Sequence, residues 1–186
     1  MAFLSNIKAG IFSRTQREKA KSPYPKAAVA SVHPDRVREI TIIFLADSAD
    51  DRRVVDRWRD ECQKNGRKVN VVGYFEQEVG AANFDFTVVT VKDLKWSGVP
   101  TGAVVDQLQS ATTELLIRLG PTEHAVLDFL SATTAADLKV GPYTEATQNP
   151  YHLQFETGQD ATLKTQLATI AHIFSYTNAS KTTTKV

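Results

Sequence analysis

Two clusters of polar residues follow apolar segments that have the character of buried strands. Asp47 and Ser48 come directly after one such segment, and Thr122 and His124 follow another. Carboxylate, hydroxyl and imidazole groups that converge on one point orient small polar ligands or move protons. We therefore predict a small-molecule site at Asp47, Ser48, Thr122 and His124. The alternative is that these residues only cap helices, where they satisfy free backbone N–H groups.

Oxygen ligands from Asp47 and Asp50 would also suit a divalent cation. Helix capping and first-turn positions explain both acids equally well, so no metal is predicted here. The sequence names no cofactor.

A third stretch, residues 92–100, combines lysines, an indole, a glycine and a proline. Lys95 and Trp96 are predicted to lie at the rim of the site if this loop folds inward, with Trp96 stacking on a ligand ring or a partner side chain. The alternative is that the tryptophan covers the end of the core, as large aromatic residues usually do.

Several familiar catalytic patterns are absent from the sequence. None of the nine glycines stands in a G-x-G pair, so neither the dinucleotide fingerprint nor a phosphate-binding P-loop is present. The nucleophile elbow and the H-E-x-x-H zinc motif are also missing. The single cysteine, Cys62, lies on the apolar stripe of a predicted helix and is interpreted as structural. Whether the protein is an enzyme stays open.

The elements that must position these residues alternate between strand and helix periodicity. The most apolar segment, EITIIFLA at residues 39–46, predicts a strand covered on both faces. The predicted strands cover residues 39–46, 68–75, 84–91, 114–119, 137–140 and 152–156. The predicted helices begin at Ser48, Val99, Gly120 and Asp160.

Strands separated by helices predict right-handed crossovers and a parallel sheet. The predicted fold class is therefore α/β: a three-layer sandwich with a doubly wound, mostly parallel sheet of five or six strands in the order 3-2-1-4-5. Ligands in such sheets bind where the order reverses, beyond the carboxyl ends of the strands. That switch point, between strands one and four, is where the polar clusters fall.

A basic leader precedes this domain. Residues 1–38 carry eight lysines and arginines against two acids, a net charge of +6, and the remaining 14 basic and 19 acidic residues give −5. Residues 2–21 are predicted to form an amphipathic helix, and a proline-containing linker follows it. Its apolar residues are predicted to pack on this domain, on a second copy or partner, or on a membrane surface: Phe3, Leu4, Ile7, Ile11 and Phe12. The predicted organisation is leader and linker at 1–38, one domain at 39–178 and a disordered tail at 179–186.

The segments KDLKWSGVP at residues 92–100, LLI at 115–117 and LKVG at 138–141 resemble an uncharacterised bacterial family, mainly of the Bacteroidetes, whose domain has no known function. The resemblance covers about residues 1–178 and implies a Rossmann-like α/β fold. It also implies an acidic residue at the end of strand four, where this chain has Arg118, so no acid-dependent chemistry is expected there. A looser similarity to the N-terminal half of heptosyltransferase-type glycosyltransferases brings no activity, because the sugar-nucleotide-binding half is missing.

Three functions remain in competition. The first is a non-catalytic interaction or small-ligand-binding module, and the second is an enzyme of glycosyl- or phosphoryl-transfer type acting at the switch point. The third is association with a membrane surface or nucleic acid through the leader; nucleic acid is disfavoured because +6 is modest beside the six to ten phosphate contacts of committed DNA-binding proteins. The sequence has neither a signal-peptide layout nor a long uninterrupted apolar stretch, so we expect a cytoplasmic protein.

Overall fold

A computed structural model describes residues 2–20, 36–79, 84–145, 149–156, 158 and 161–178 of the chain. The predicted disordered tail and most of the predicted linker lie outside these residues, as do the side chains of Phe3 and Leu4. The helices are α1 (Ala2–Lys19), α2 (Ala49–Lys64), α3 (Ala103–Ser110), α4 (Ala125–Thr133) and α5 (Leu163–Asn178). The strands are β1 (Glu39–Leu45), β2 (Lys68–Phe75), β3 (Thr87–Thr90), β4 (Thr112–Leu119), β5 (Ala135–Pro142) and β6 (Leu153–Phe155).

The six strands form one parallel sheet in the order β3-β2-β1-β4-β5-β6. β1 lies between β2 and β4, and residues 40–44 within it are all buried. This confirms the predicted doubly wound order, with strand six added at the edge. The apolar run of β1 places it in the middle because only a central parallel strand is covered on both faces along its length.

Helices cover both faces of the sheet, as the predicted three-layer sandwich requires. On one face, α2 and α5 pack over side chains such as Ile42 and Ile117. On the other face, α3 and α4 pack over Ile43 and Leu116. The alternation of neighbours such as Ile42 and Ile43 between the two cores follows from the two-residue period of a strand.

The predicted start of α4 is wrong by about four residues. Gly120 has φ +117°, a conformation that no helix contains, and the Arg118 guanidinium holds the carbonyl of Pro121. The chain turns here before His124 caps the helix and Ala125 begins it. Proline after glycine resembles a helix start, but the hydrogen bond from the Arg118 side chain of β4 to Pro121 keeps this segment as a loop.

Other element boundaries also differ from the predicted ones. β3 ends at Thr90 because the Asp93 carboxylate accepts a hydrogen bond from the Thr90 N–H at 2.8 Å and turns the chain into a short 3-10 helix, Val91–Asp93. β4 and β5 begin earlier than predicted, since their backbones already pair at Thr112 and Ala135.

The N-terminal helix α1 lies against the outer side of α4. The rings of Phe12 and Phe129 are 5.4 Å apart, and Lys19 Nζ donates to Gln109 Oε1 of α3 at 3.5 Å. Ile7 and Ile11 are each 37% exposed, so the described part of the chain covers them only in part. The reason is geometric: consecutive helical residues are about 100° apart, so a helix that turns Phe12 inward turns Ile11 aside.

Candidate functional site

An open cleft of about 510 Å³ lies at the carboxyl ends of β1 and β4, at the predicted switch point. The first turns of α2 and α5 and the loop after β4 enclose it. Its lining residues are Leu45, Asp51, Gly120, Pro121, Thr122, Gly158, Ala161, Thr162, Leu163 and Gln166. Crevices at this place in doubly wound sheets are the usual ligand sites of the architecture.

The floor of the cleft is a reciprocal pair of hydrogen bonds. The Gly120 N–H donates to Gln166 Oε1 and the Gln166 amide donates to the Gly120 carbonyl, both at 2.9 Å. Gln166 is only 3% exposed. The pair satisfies the hydrogen-bonding groups of the buried Gln166 amide. It also attaches α5 to the end of β4, which fixes the distance between these two elements.

Two helix starts form the walls. Ser48 Oγ accepts a hydrogen bond from the Asp51 N–H at 3.2 Å and thereby caps α2. Thr162 Oγ1 accepts from the Thr165 N–H at 3.3 Å at the start of α5. These local caps place the Asp51 carboxylate and the Thr162 hydroxyl beside the Thr122 loop.

The electrostatics of the cleft are set by Asp51. Partial burial raises the pKa of its carboxyl, the hydrogen bond with Ser48 opposes the shift, and the neighbouring Asp50 adds to it. No lysine, arginine or histidine is among the described lining residues. The cleft therefore offers carboxylate and hydroxyl oxygens to a ligand that carries hydrogen-bond donors.

Asp47 and His124 converge on a different point, next to the end of β2. Asp47 Oδ2 accepts from the Glu76 N–H at 3.2 Å, and His124 Nε2 lies 3.4 Å from Glu76 Oε1. His124 Nδ1 accepts from the Leu127 N–H at 3.3 Å, which assigns the proton of the neutral ring to Nε2, facing Glu76. The ring also meets Tyr74 edge-on at 5.4 Å.

The predicted site residues are thus distributed over three places. Thr122 lines the cleft, Ser48 caps the helix beside it, and Asp47 and His124 meet at Glu76. Lys95 and Trp96 lie on a hairpin after β3, outside the described lining of the cleft. Asp50 pairs with Arg53 at 2.7 Å, and the described part of the chain contains no group of three or more metal-ligating residues.

Sequence reasoning missed Asp51, Thr162 and Gln166 as site residues. Gln166 did carry a signal, because it occupies an inward position of α5 between Leu163 and Leu167, where a polar residue needs a partner. The partner is 46 residues away along the chain, and no local pattern identifies it.

A buried ionic network holds the loop that forms one wall. Arg118 is fully buried, and its Nε lies 3.3 Å from Asp128 Oδ1. The same oxygen accepts from the Tyr151 hydroxyl at 2.6 Å, and Asp128 Oδ2 accepts from the His124 N–H at 3.1 Å. Burial, and then the Asp128 charge, raise the pKa of Tyr151 well above its usual value. One carboxylate therefore joins β4, the start of α4 and the segment before β6.

The parallel six-stranded sheet and its switch-point cleft define a Rossmann-like α/β protein. Residues 11–175 match the model of a family of unknown function, DUF6913, and the chain belongs to that family. This confirms the resemblance to a family without known function. The comparison with curated proteins returns no match. Within the described residues, none of the helices has the length and apolar character needed to cross a membrane.

Proposed function

We propose that this protein is a non-catalytic small-ligand-binding module whose site is the cleft between β1 and β4. The observation that carries the proposal is the placement of the cleft. It lies at the reversal of a doubly wound sheet, has a fixed floor at Gly120 and Gln166, and has ligand-sized volume. Ligand sites are typically about 300 to 1,000 Å³.

The lining indicates the ligand chemistry. Asp51, Thr122 and Thr162 present acceptor oxygens, and no cationic side chain stands among the described lining residues. A phosphate group would meet the Asp51 charge without a lysine or arginine to offset it. A small polyol or a small amine fits better, because its hydroxyl or ammonium groups donate to these oxygens.

The contacts around the cleft support binding rather than catalysis. Ser48 Oγ is engaged as a helix cap, and the base beside it is the Asp51 carboxylate, which is not the histidine that usually activates a serine nucleophile. The lone buried thiol, Cys62, has a pKa raised mainly by burial, which suits a structural residue. A free cysteine of this kind fits a reducing compartment, which supports our proposal of a cytoplasmic location.

The experiment is a thermal-shift and calorimetric screen with ribose, glucose and putrescine, with glucose 6-phosphate as the phosphorylated comparison. A ligand present at 100 times its Kd adds about 2.7 kcal/mol to the unfolding free energy, which is a rise of about 5 to 10 °C in Tm for a domain of this size. Asp51→Asn and Thr122→Val should remove the shift. Asp50→Asn is the matched control, because Asp50 is also a first-turn acid of α2 but lies outside the lining. Shifts that persist in Asp51→Asn, or that appear only with the phosphorylated sugar, contradict the proposal.

The second candidate function is a transfer enzyme. The His124 and Glu76 pair favours it, since an imidazole 3.4 Å from a carboxylate can exchange a proton with a substrate. It requires turnover of a sugar or phosphate ester that His124→Gln abolishes while ligand binding persists. Binding without turnover in the wild-type protein supports the module instead.

A further inference from the structure

A tight hairpin after β3 presents an exposed indole. Leu94 and Pro100 pair across it, and the Gly98 N–H donates to the Lys95 carbonyl at 2.8 Å. Gly98 has φ +84°, which closes this short turn without strain. Trp96 stands in the turn and is 64% exposed, with Lys95 exposed beside it. A hydrogen-bonded turn that holds a tryptophan in solvent is unusual, because burial of a large aromatic ring is favourable.

The hairpin lies next to α1. A Cβ atom added at Gly98 would be 3.8 Å from the Phe12 ring, so Phe12 packs between the hairpin and Phe129 of α4. With Phe12 turned inward, Ile7 and Ile11 are exposed on the same helix. We call Ile7, Ile11, Lys95 and Trp96 the α1–hairpin surface.

The charge of this region is positive. α1 carries four basic residues and one acid, a net charge of +3, and Glu18 is paired with Arg14 at 2.8 Å. Lys8 and Arg17 are exposed on the same helix. The hairpin adds Lys95, whereas the nearby Lys92 is paired with Glu78 at 2.9 Å.

We propose that the α1–hairpin surface docks peripherally on an anionic lipid surface. Exposed isoleucines beside lysines and arginines suit the boundary between acyl chains and head groups. Tryptophan is enriched at this boundary because its ring is amphipathic. Pairing of α1 with the α1 helix of a second copy would instead bring two net charges of +3 together, and their repulsion opposes such pairing. Nucleic acid would use the positive charge but would leave the isoleucines uncovered.

The test uses the full chain with phosphatidylcholine vesicles that contain or lack phosphatidylglycerol. The chain has two tryptophans, Trp58 and Trp96, so Trp58→Phe leaves Trp96 as the only indole. We expect this variant to co-sediment with anionic vesicles, with a blue shift of its emission as Trp96 leaves water. Equal binding to neutral vesicles, or an unchanged emission, overturns the proposal.

Three variants locate the contact. The double variant Ile7→Glu/Ile11→Glu should abolish binding, and Trp96→Ala should weaken it at least severalfold. Lys8→Gln should weaken it roughly fivefold, as expected for loss of one basic residue near an anionic membrane. The matched controls lie on α5, on the opposite face of the sheet: Tyr176→Ala, whose ring is 65% exposed, and Lys164→Gln. Binding should be unchanged in both controls.

The competing occupants give different results. If Ile7→Glu/Ile11→Glu alters the molar mass in light scattering while wild type ignores vesicles, a second copy covers the surface and the proposal fails. Binding to duplex DNA or RNA that Lys8→Gln weakens and Trp96→Ala does not, without vesicle binding, also refutes it. Circular dichroism of each variant confirms that the fold is retained. The cleft screen above is independent of these outcomes.

Discussion

Lys139 is a buried amine without a charged partner among the described residues. Its side chain is fully buried beneath α4, and its Nζ donates to the Ala132 carbonyl at 3.1 Å. Burial lowers the pKa of Lys139 to about 8. The neighbouring His152 also has a lowered pKa, first from burial and then from the Lys139 charge.

The sign and size of the effect on stability follow from that pKa. The unfolded chain holds the lysine proton up to about pH 10.5, whereas the folded chain releases it near pH 8, so folding is opposed wherever the amine is protonated in both states. A shift of about 2.5 units at 1.36 kcal/mol per unit costs about 3 kcal/mol at neutral pH. Loss of the hydrogen bond to Ala132 in a variant offsets about 1 kcal/mol of the gain.

Lys139→Met removes the charge and keeps the length of the side chain. We expect the variant to be more stable than wild type by about 2 kcal/mol near pH 7. Because Lys139 in the wild-type protein loses its proton as the pH rises, the stability advantage of Lys139→Met should fall by about 2 kcal/mol between about pH 7 and pH 9.5. Urea denaturation at several pH values measures it, with Lys164→Met, an exposed lysine on α5, as the control.

The refuting result is a pH-independent difference between wild type and Lys139→Met. It would mean that a water or counter-charge stabilises the ammonium in the folded protein. Titration of groups remote from Lys139 cancels in the comparison, because both proteins share them. His152 is the exception, because the Lys139 charge helps to lower its pKa and the substitution removes that charge.

Two further substitutions test the geometry around the cleft. Asp128→Asn should destabilise the protein by about 3 to 5 kcal/mol, because it leaves the Arg118 guanidinium buried without a counter-charge. Asp106→Asn, on the exposed face of α3, is the control. A loss below about 1 kcal/mol for Asp128→Asn in urea denaturation would contradict the role given to the network. Gly120→Ala should lose about 1 to 3 kcal/mol, because φ +117° strains any residue with a Cβ while the space around it is ordinary; unchanged stability would show that the turn relaxes without cost.

The parts of this fold that sequence predicts are those encoded locally. β1 was predictable because an almost unbroken apolar run marks a central parallel strand, and β2 because its valines and aromatic residues favour a strand. The start of α4 was not, because a glycine and a proline favour a helix start, and the contact that prevents it depends on how the fold orients the nearby Arg118 side chain. For the cleft, the switch-point rule indicates the edge of the sheet where the cleft lies, and Thr122 is the predicted site residue that lines it. Asp51 and Gln166 depend on where α2 and α5 begin in space, which no short-range pattern encodes.

The burial of Arg118 at the end of β4 has a consequence for the cleft. A charged residue in the interior of a sheet is tolerated only when its partners compensate for the lost hydration. Here the compensation comes from Asp128, whose carboxylate also accepts hydrogen bonds from the Tyr151 hydroxyl and the His124 N–H. The loop between Arg118 and His124 is thus held at both ends by one carboxylate, and Thr122 stands on that loop. A wall fixed in this way is already ordered before a ligand binds, so less of the binding free energy is lost to conformational entropy. If the cleft binds a ligand as proposed, the network that fixes the helix start also holds one wall of the site in place beforehand.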